Sequence, residues 1–410
     1  MRGSSASTRP IKVLIIGGGM AGWTLAGALV RRQITPVLVE RVPEYTRVGF
    51  WIGLYPFSAN TLRETGIYER YVSGSLAMDT YSMRDRRGRL LQEMSFASVL
   101  GRINGEMRAL ERTDLLALLV DAATGTDVRM GTTATLVEPR DTAANRDRVA
   151  VSIGDAPAEE FDLVVAADGV HSATRAALLS DASAGVRDWG YTAFTWWVPA
   201  SGGEIGAIDE YWGPGGLFGM YPLGDKTNAI AGMPTPAGLD TMDADGIARV
   251  VNDHFGDYPE PVRTALAQIG RPGSPTERSD AAAIDQRVYP WPMVDQRAKD
   301  WIHGRVALLG DAACAFLPTA GVGASNAMKS AAVLADELGR AEARTIPQAL
   351  DLWQQRVRRR VEANQDNSRT LARMMFVKGP RITKARDVLL RRYPVEKVAA
   401  DVLKSNITPW

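Results

Sequence analysis

The run Gly17-Gly18-Gly19-Met20-Ala21-Gly22 constrains this chain more than any other feature. It follows a short apolar stretch, Ile11 to Ile16, that reads as a buried parallel strand. Helical spacing from Ala21 to Arg32 comes next, and Pro36 to Glu40 reads as a second strand, so the segment spells one βαβ unit. In such a unit Gly17 permits the tight turn out of the strand, Gly19 lets backbone approach a pyrophosphate, and Gly22 lets helix and strand pack closely. The helix start at Met20 and Ala21 offers unpaired N–H groups and a positive dipole end to phosphates. Glu40 closes the second strand, where a carboxylate accepts from ribose hydroxyls, with Arg41 beside it. This pattern serves NAD and FAD equally.

Further strands share its logic. Phe161 to Ala167 is fully apolar but for Asp162 and stops at Asp168-Gly169; Val306 to Leu309 stops at Gly310-Asp311. Three strands thus end in Gly/Asp turns, predicted to lie at the carboxyl edge of one sheet, where open α/β sheets bind ligands. Thr113 reads as an N-cap ahead of Leu115, Leu116, Leu118 and Leu119. Ser73 to Leu100 and Arg187 to about Tyr289 mix aromatic and polar residues with Gly and Pro, which favours antiparallel strands over helices. After Ile346 the chain turns helical, with a long arm from Gln348 to about Phe376. The expected fold is therefore α/β: a Rossmann-like dinucleotide-binding domain (11–72, 101–186 and 290–345), an inserted, mainly antiparallel β domain (73–100 and 187–289), and a C-terminal helical region (346–410).

Composition removes several other classes. A net charge of +1 over 410 residues gives no global field for nucleic acid or an anionic membrane. No stretch approaches the roughly 20 apolar residues that span a bilayer. Met1 to Pro10 lacks the apolar core of a signal peptide and reads as a disordered lead-in. One cysteine, Cys314, cannot form an intrachain disulfide, and with His171, His254 and His303 far apart no metal site is expected; a cytoplasmic protein fits. The basic run Arg356 to Arg360 reads as a solvated helix face carrying salt bridges.

Two longer motifs make the reading specific. Asp168-Gly169-Val170-His171-Ser172-Ala173-Thr174-Arg175 resembles the Asp-Gly-x-x-Ser-x-x-Arg motif of the class A flavoprotein monooxygenases, the para-hydroxybenzoate hydroxylase-like family. Gly310-Asp311-Ala312-Ala313, continuing through Pro318 to Gly321-Val322-Gly323-Ala324-Ser325-Asn326, is similar to that family's Gly-Asp motif and flavin-edge loop. Arg112 and the Val48 to Leu54 segment match it more weakly, with Arg47 just before that segment. Order and spacing agree over about residues 11 to 340. The chain departs from the family at Cys314, where many members carry His, and at Ala327-Met328-Lys329-Ser330, where an acidic pair is common.

The resemblance implies that the first domain binds FAD and the inserted one substrate. Gly17, Gly19, Met20, Ala21, Gly22, Glu40, Arg41 and Arg112 would hold the nucleotide and pyrophosphate end, Asp168, Gly169 and Arg175 would lie near FAD and the entering nicotinamide, and Gly310 and Asp311 would hold the ribityl chain. Pro318, Gly321, Gly323 and Ala324 would face the ring, where backbone N–H groups stabilise anionic reduced flavin. NADH or NADPH would reduce FAD, O2 would give a flavin C4a-hydroperoxide, and one oxygen atom would pass to a small aromatic or polycyclic molecule, such as a secondary metabolite, with no catalytic side chain required. Trp196, Trp197, Tyr211, Phe218 and Tyr221 are the expected pocket residues; in a regular strand Trp196 and Trp197 cannot share a face. A flavin-dependent halogenase, a flavin dehydrogenase, and a non-redox flavin-bound cyclase or binding protein are the alternatives. The protein is expected to act as a monomer or homodimer.

Overall fold

The computed structural model describes residues 10–45, 49–100, 105–137, 147–179, 185–200, 206–269 and 288–392. The expectations for Met1 to Arg9, Arg47, Val48 and the last eighteen or so residues of the helical region lie outside them. From the N-terminus run β1 (Val13–Ile16), α1 (Met20–Val30), β2 (Val37–Glu40) and β3 (Trp51–Leu54). A hairpin of β4 (Thr80–Asp85) and β5 (Leu90–Ser95) is followed by α2 (Arg112–Ala122), β6 (Asp127–Met130) and β7 (Leu163–Ala166). Four strands then run almost in succession: β8 (Arg187–Pro199), β9 (Ala207–Gly213), β10 (Gly216–Leu223) and β11 (Lys226–Pro234). Helices α3 (Ala244–Phe255) and α4 (Glu260–Leu266) precede β12 (Tyr289–Arg297), β13 (Val306–Leu308), β14 (Cys314–Ala315), α5 (Gly323–Leu338), α6 (Ile346–Met375) and α7 (Pro380–Arg392).

Strands β13, β7, β1, β2 and β6 lie side by side and parallel, with the short Ile302–His303 strand on the β13 edge. Fully buried Val and Leu side chains fill β1, β7 and β13, as a parallel sheet covered on both faces demands. The three Gly/Asp turns therefore leave neighbouring strands at one edge. α1 and α5 pack together over the sheet, with α6 against α5.

The second sheet has eight strands in the order β14-β12-β8-β11-β10-β9-β4-β5. It is mainly antiparallel, except where β9 runs parallel to β4. It extends past Tyr289 by recruiting β12 and β14. The mainly antiparallel expectation between Arg187 and Tyr289 holds for Arg187–Pro234, but the preference for strands over helices does not extend to α3 and α4. Asp243 accepts from the Gly246 N–H at 2.8 Å and caps α3, while Ile247, Val251 and Phe255 bury one helical stripe against the sheet. Helix α2 also begins earlier than Thr113, since its N-cap is Glu111 and the Arg112 N–H bonds to Phe50 O at 2.9 Å. Arg356 and Arg358 pair with Asp336, Glu337 and Glu362, as a solvated basic helix face should.

Candidate active site

At the first turn Gly17 has φ +106°, and a Cβ there would fall 2.4 Å from Ala167 O of the neighbouring strand end. Gly22 is equally obligatory, since its Cβ would reach 2.0 Å from Gly17 O. Gly19 differs: nothing lies within 4 Å of its Cβ position, and it caps α1 with no side-chain hydrogen bond. The helix therefore presents bare N–H groups beside an open backbone face. Glu40 accepts from Gly18 N–H at 2.6 Å and Val42 N–H at 3.0 Å, so its carboxylate also shapes the loop. Arg41 is exposed next to it. Tyr45, not singled out from sequence, donates to Gly18 O at 3.2 Å and meets the Trp23 indole N–H.

The other two turns are bolted to the first. Gly310, at φ +61°, has space for a Cβ only 2.8 Å from the Ala21 Cβ, which brings Asp311 to the start of α1. Arg175, 1% exposed, donates to Val170 O at 2.6 Å and Ala312 O at 3.1 Å, joining the second turn to the third. That position makes Arg175 a brace between turns. Asp168 accepts from the Thr174 N–H at 3.1 Å through Oδ2, whereas its buried Oδ1 has no partner among the described residues. Gly169, at φ +82°, faces open space.

Asp311 combines two properties that rarely coincide. It is exposed to solvent, yet protein encloses it closely enough that burial raises its carboxyl to about 6, against the opposing charge of Arg112. It lines one cavity with Gly310, Ala313, Gly323 and Asn326. Arg112 is half-buried across from it; burial lowers its guanidinium and the Asp311 charge raises it. Beyond Asp311 the turn Pro318–Ala320 leads through Gly321, at φ +61°, into α5, whose N-cap Val322 again offers no side-chain cap. Gly323 and Ala324 open that helix, and Asn326 turns inward to bond Val322 O at 2.8 Å. Cys314 is buried and burial drives its thiol well up, so it is no nucleophile toward a cofactor. Two bare helix N-termini, open glycine faces, an orphaned Asp168 oxygen and an enclosed, accessible Asp311 fit an extended dinucleotide with a polyol between phosphate and ring.

Strand alternation sorts the five aromatic candidates. Trp196, Tyr211 and Phe218 lie on the sheet face covered by α3 and α4, buried among Ile247, Val251 and Phe255. These three do not reach the cleft, because the apolar stripes of α3 and α4 pack over them; the Trp196 indole N–H is spent on Ala265 O at 3.1 Å. Trp197 and Tyr221 lie on the opposite, inner face. Trp197 donates to Gly49 O at 2.9 Å, and Tyr221 packs its ring 5.0 Å from Trp51 of β3. Asn228 ties β3 to the same face by accepting from the Trp51 N–H at 3.1 Å. Sequence reasoning missed Tyr55, Tyr81 and Glu210 here; the adjacent acids Asp209 and Glu210, one of which alternation turns inward, were the available signal. Among the described residues no cluster of metal ligands exists and no helix is long and apolar enough to cross a membrane.

A family model described as FAD binding domain matches residues 10–207 and 262–368. The chain is 31% identical to an aurachin C monooxygenase/isomerase of Stigmatella aurantiaca, over 79% of this chain and 80% of that one. It is 29% identical to a 3-amino-4-hydroxybenzoate 2-monooxygenase of Streptomyces platensis, over 82% and 81% respectively. Among solved structures, Klebsiella pneumoniae HpxO complexed with FAD and uric acid superposes with a TM-score of 0.83 at 23% identity, covering 96% of this chain and 97% of that one.

Proposed function

The chain belongs to the FAD-binding-domain family and is an FAD-dependent monooxygenase that consumes NAD(P)H and O2; from that premise we propose that it oxygenates a planar aromatic molecule held between the inner sheet face and the flavin edge. When bound, FAD supplies the reducing and oxygen-transfer chemistry. The protein's part is to hold, orient and keep dry. We assign the pyrophosphate to the N–H groups of Gly19, Met20, Ala21 and Gly22, and the adenosine ribose to Glu40 with Arg41 at its edge. Arg112 offers its charge to the phosphates, and Asp311 accepts from the ribityl hydroxyls. Gly321, Gly323 and Ala324 present backbone N–H groups to the ring, with Pro318 fixing the turn before them. Asp168 and Gly169 border the open side, where the nicotinamide would enter.

The single observation that carries this reading is Asp311, enclosed yet accessible, brought to the α1 N-terminus by the Gly310 contact. The inner sheet face supports the substrate half: it is walled by Trp51, Tyr55 and Tyr221, each part-accessible, so an aromatic ring there displaces water from beside the flavin. The test is oxygen-18 gas with the FAD-loaded enzyme, NAD(P)H and a panel of aromatics. Label in the product supports the proposal. An oxidised but unlabelled product formed with O2 as electron acceptor and without stoichiometric NAD(P)H consumption would identify a dehydrogenase instead, and no redox turnover with any aromatic would point to a non-redox role.

A further inference from the structure

The inner face of the long sheet holds a carboxylate without a counter-ion. Glu210, in β9, is 6% exposed. Its Oε2 accepts from Tyr81 OH at 2.5 Å and from the Trp212 indole N–H at 2.8 Å, and its Oε1 accepts from Tyr221 OH at 2.6 Å. All three contacts are donated to it, which is what an acceptor-only carboxylate provides for. Among the described residues no Lys or Arg pairs with it, and the charges acting on the neighbouring phenols of Tyr55, Tyr81 and Tyr221 are acidic or phenolic alone.

That arrangement fixes the polarity of the wall. A phenol has one proton to donate. Tyr81 and Tyr221 spend theirs on Glu210, and Tyr55 directs its own to Ala320 O at 3.4 Å. All three are closely enclosed yet partly accessible, so they line a recess to which their oxygens have only lone pairs left to offer. The Trp51 indole N–H beside Tyr221 is buried and has no hydrogen-bond partner among the described residues. It does not balance a second anion placed next to Glu210 in a medium of low polarity.

We propose that this wall selects neutral aromatic substrates carrying N–H or O–H donors and rejects carboxylates, with Glu210 as a positioning residue that acts through Tyr81 and Tyr221. The inference rests on the reading that substrate lies against this face. It separates the chain from its aminohydroxybenzoate-oxygenating relative, whose substrate bears a carboxylate.

The test titrates the oxidised, FAD-loaded enzyme with 2-aminophenol, with 3-amino-4-hydroxybenzoate (the same donors plus a carboxylate) and with 2-methoxy-N,N-dimethylaniline (the donors capped), reading flavin absorbance. In the wild type 2-aminophenol should bind at least about tenfold tighter than either of the others, the worth of one or two hydrogen bonds in a buried site. Glu210→Gln puts an amide donor against a phenol oxygen and frees a phenol proton to face the recess. The preference should then collapse, 2-aminophenol losing about tenfold and the carboxylate gaining by a similar factor; a merely structural role would weaken all three together. If Glu210→Gln does not load FAD, Tyr221→Phe takes its place, with 2-aminophenol expected to weaken and the carboxylate not to gain. Equal or tighter binding of the carboxylate or the capped ligand to the wild type overturns the inference, as does an unchanged preference in Glu210→Gln or an undiminished 2-aminophenol affinity in Tyr221→Phe; labelled product from any aromatic would leave the monooxygenase reading intact. If no ligand perturbs the flavin while oxygenation of other aromatics proceeds, the placement of substrate on this face falls and the inference with it.

Discussion

Trp196 and Trp197 are consecutive residues of one strand and live in different chemistry. Trp196 is sealed under α3 and α4, edge-on to Phe218 at 5.8 Å, in a cluster built almost wholly of hydrocarbon. Trp197 faces inward, clamps the loop at Gly49, and sits 4.5 Å beneath the Lys226 ammonium, which is itself paired with Glu111. Across the same sheet, the outer face has spent its polar atoms and the inner face has kept several partly accessible. One face holds the domain together; the other is the face on which we propose the substrate lies. A sheet in such a role gains from this division, because changes needed for a new substrate need not disturb the core behind it.

The sharpest way to break that comparison is Trp196→Ala. Loss of a fully buried indole should cost about 3–5 kcal/mol in urea unfolding, with FAD affinity of the folded fraction unchanged; a loss of flavin affinity without loss of stability would put Trp196 on the wrong side. Asp311→Asn tests the opposite corner. FAD affinity should fall by about tenfold or more, the value of a hydrogen bond to a charged acceptor, measured by fluorescence titration of apoprotein whose unfolding midpoint is little changed. Trp197→Phe keeps the ring bulk and deletes the bond to Gly49 O. It should cost only about 1 kcal/mol of stability yet raise hydrogen peroxide released per NAD(P)H consumed, whereas Trp196→Phe should match the first effect and lack the second.

The smallest effect is a pH dependence. The Asp311 carboxyl is raised in the folded apoprotein from 3.8 to about 6, so the folded state holds that proton more tightly than the unfolded chain. Its contribution to apoprotein stability is therefore lost as pH rises through this window. Ribityl hydroxyls favour the ionised form, so FAD affinity should rise over the same interval. Titrations at pH 5 and 7 should show this slope in the wild type and a flat response in Asp311→Asn.

How much of this was legible beforehand follows the range of the interactions. The turns at Gly17, Asp168 and Gly310 were readable because their requirements are local: a positive φ or a missing Cβ leaves its mark on the residue itself. The resemblance to class A monooxygenases rested on those same turns, and the family match bears it out. Helices α3 and α4 were missed because Gly and Pro outweighed the Ile247, Val251, Phe255 stripe, although Asp243 stood in capping position. Strand alternation required Trp196 and Trp197 to part, but choosing which faced inward needed knowledge of the helices that cover Trp196. The Glu210 cluster was beyond reach for a different reason. Tyr81 lies 129 residues before its acceptor, and no spacing rule connects them.

The brace made by Arg175 also bears on how the protein is made. Its bond to Ala312 spans 137 residues, and β7 finds its parallel neighbour β13 across a similar stretch of chain. Domains fold as their residues emerge during synthesis, at roughly 5–20 residues per second. For many seconds on that scale the opening glycine turn exists without the partner turns that give it shape. On the site proposed above, FAD loading waits on translation past Asp311, and a ribosome that stalls before it leaves a nascent chain with the opening nucleotide fingerprint and without the turn that completes the proposed site.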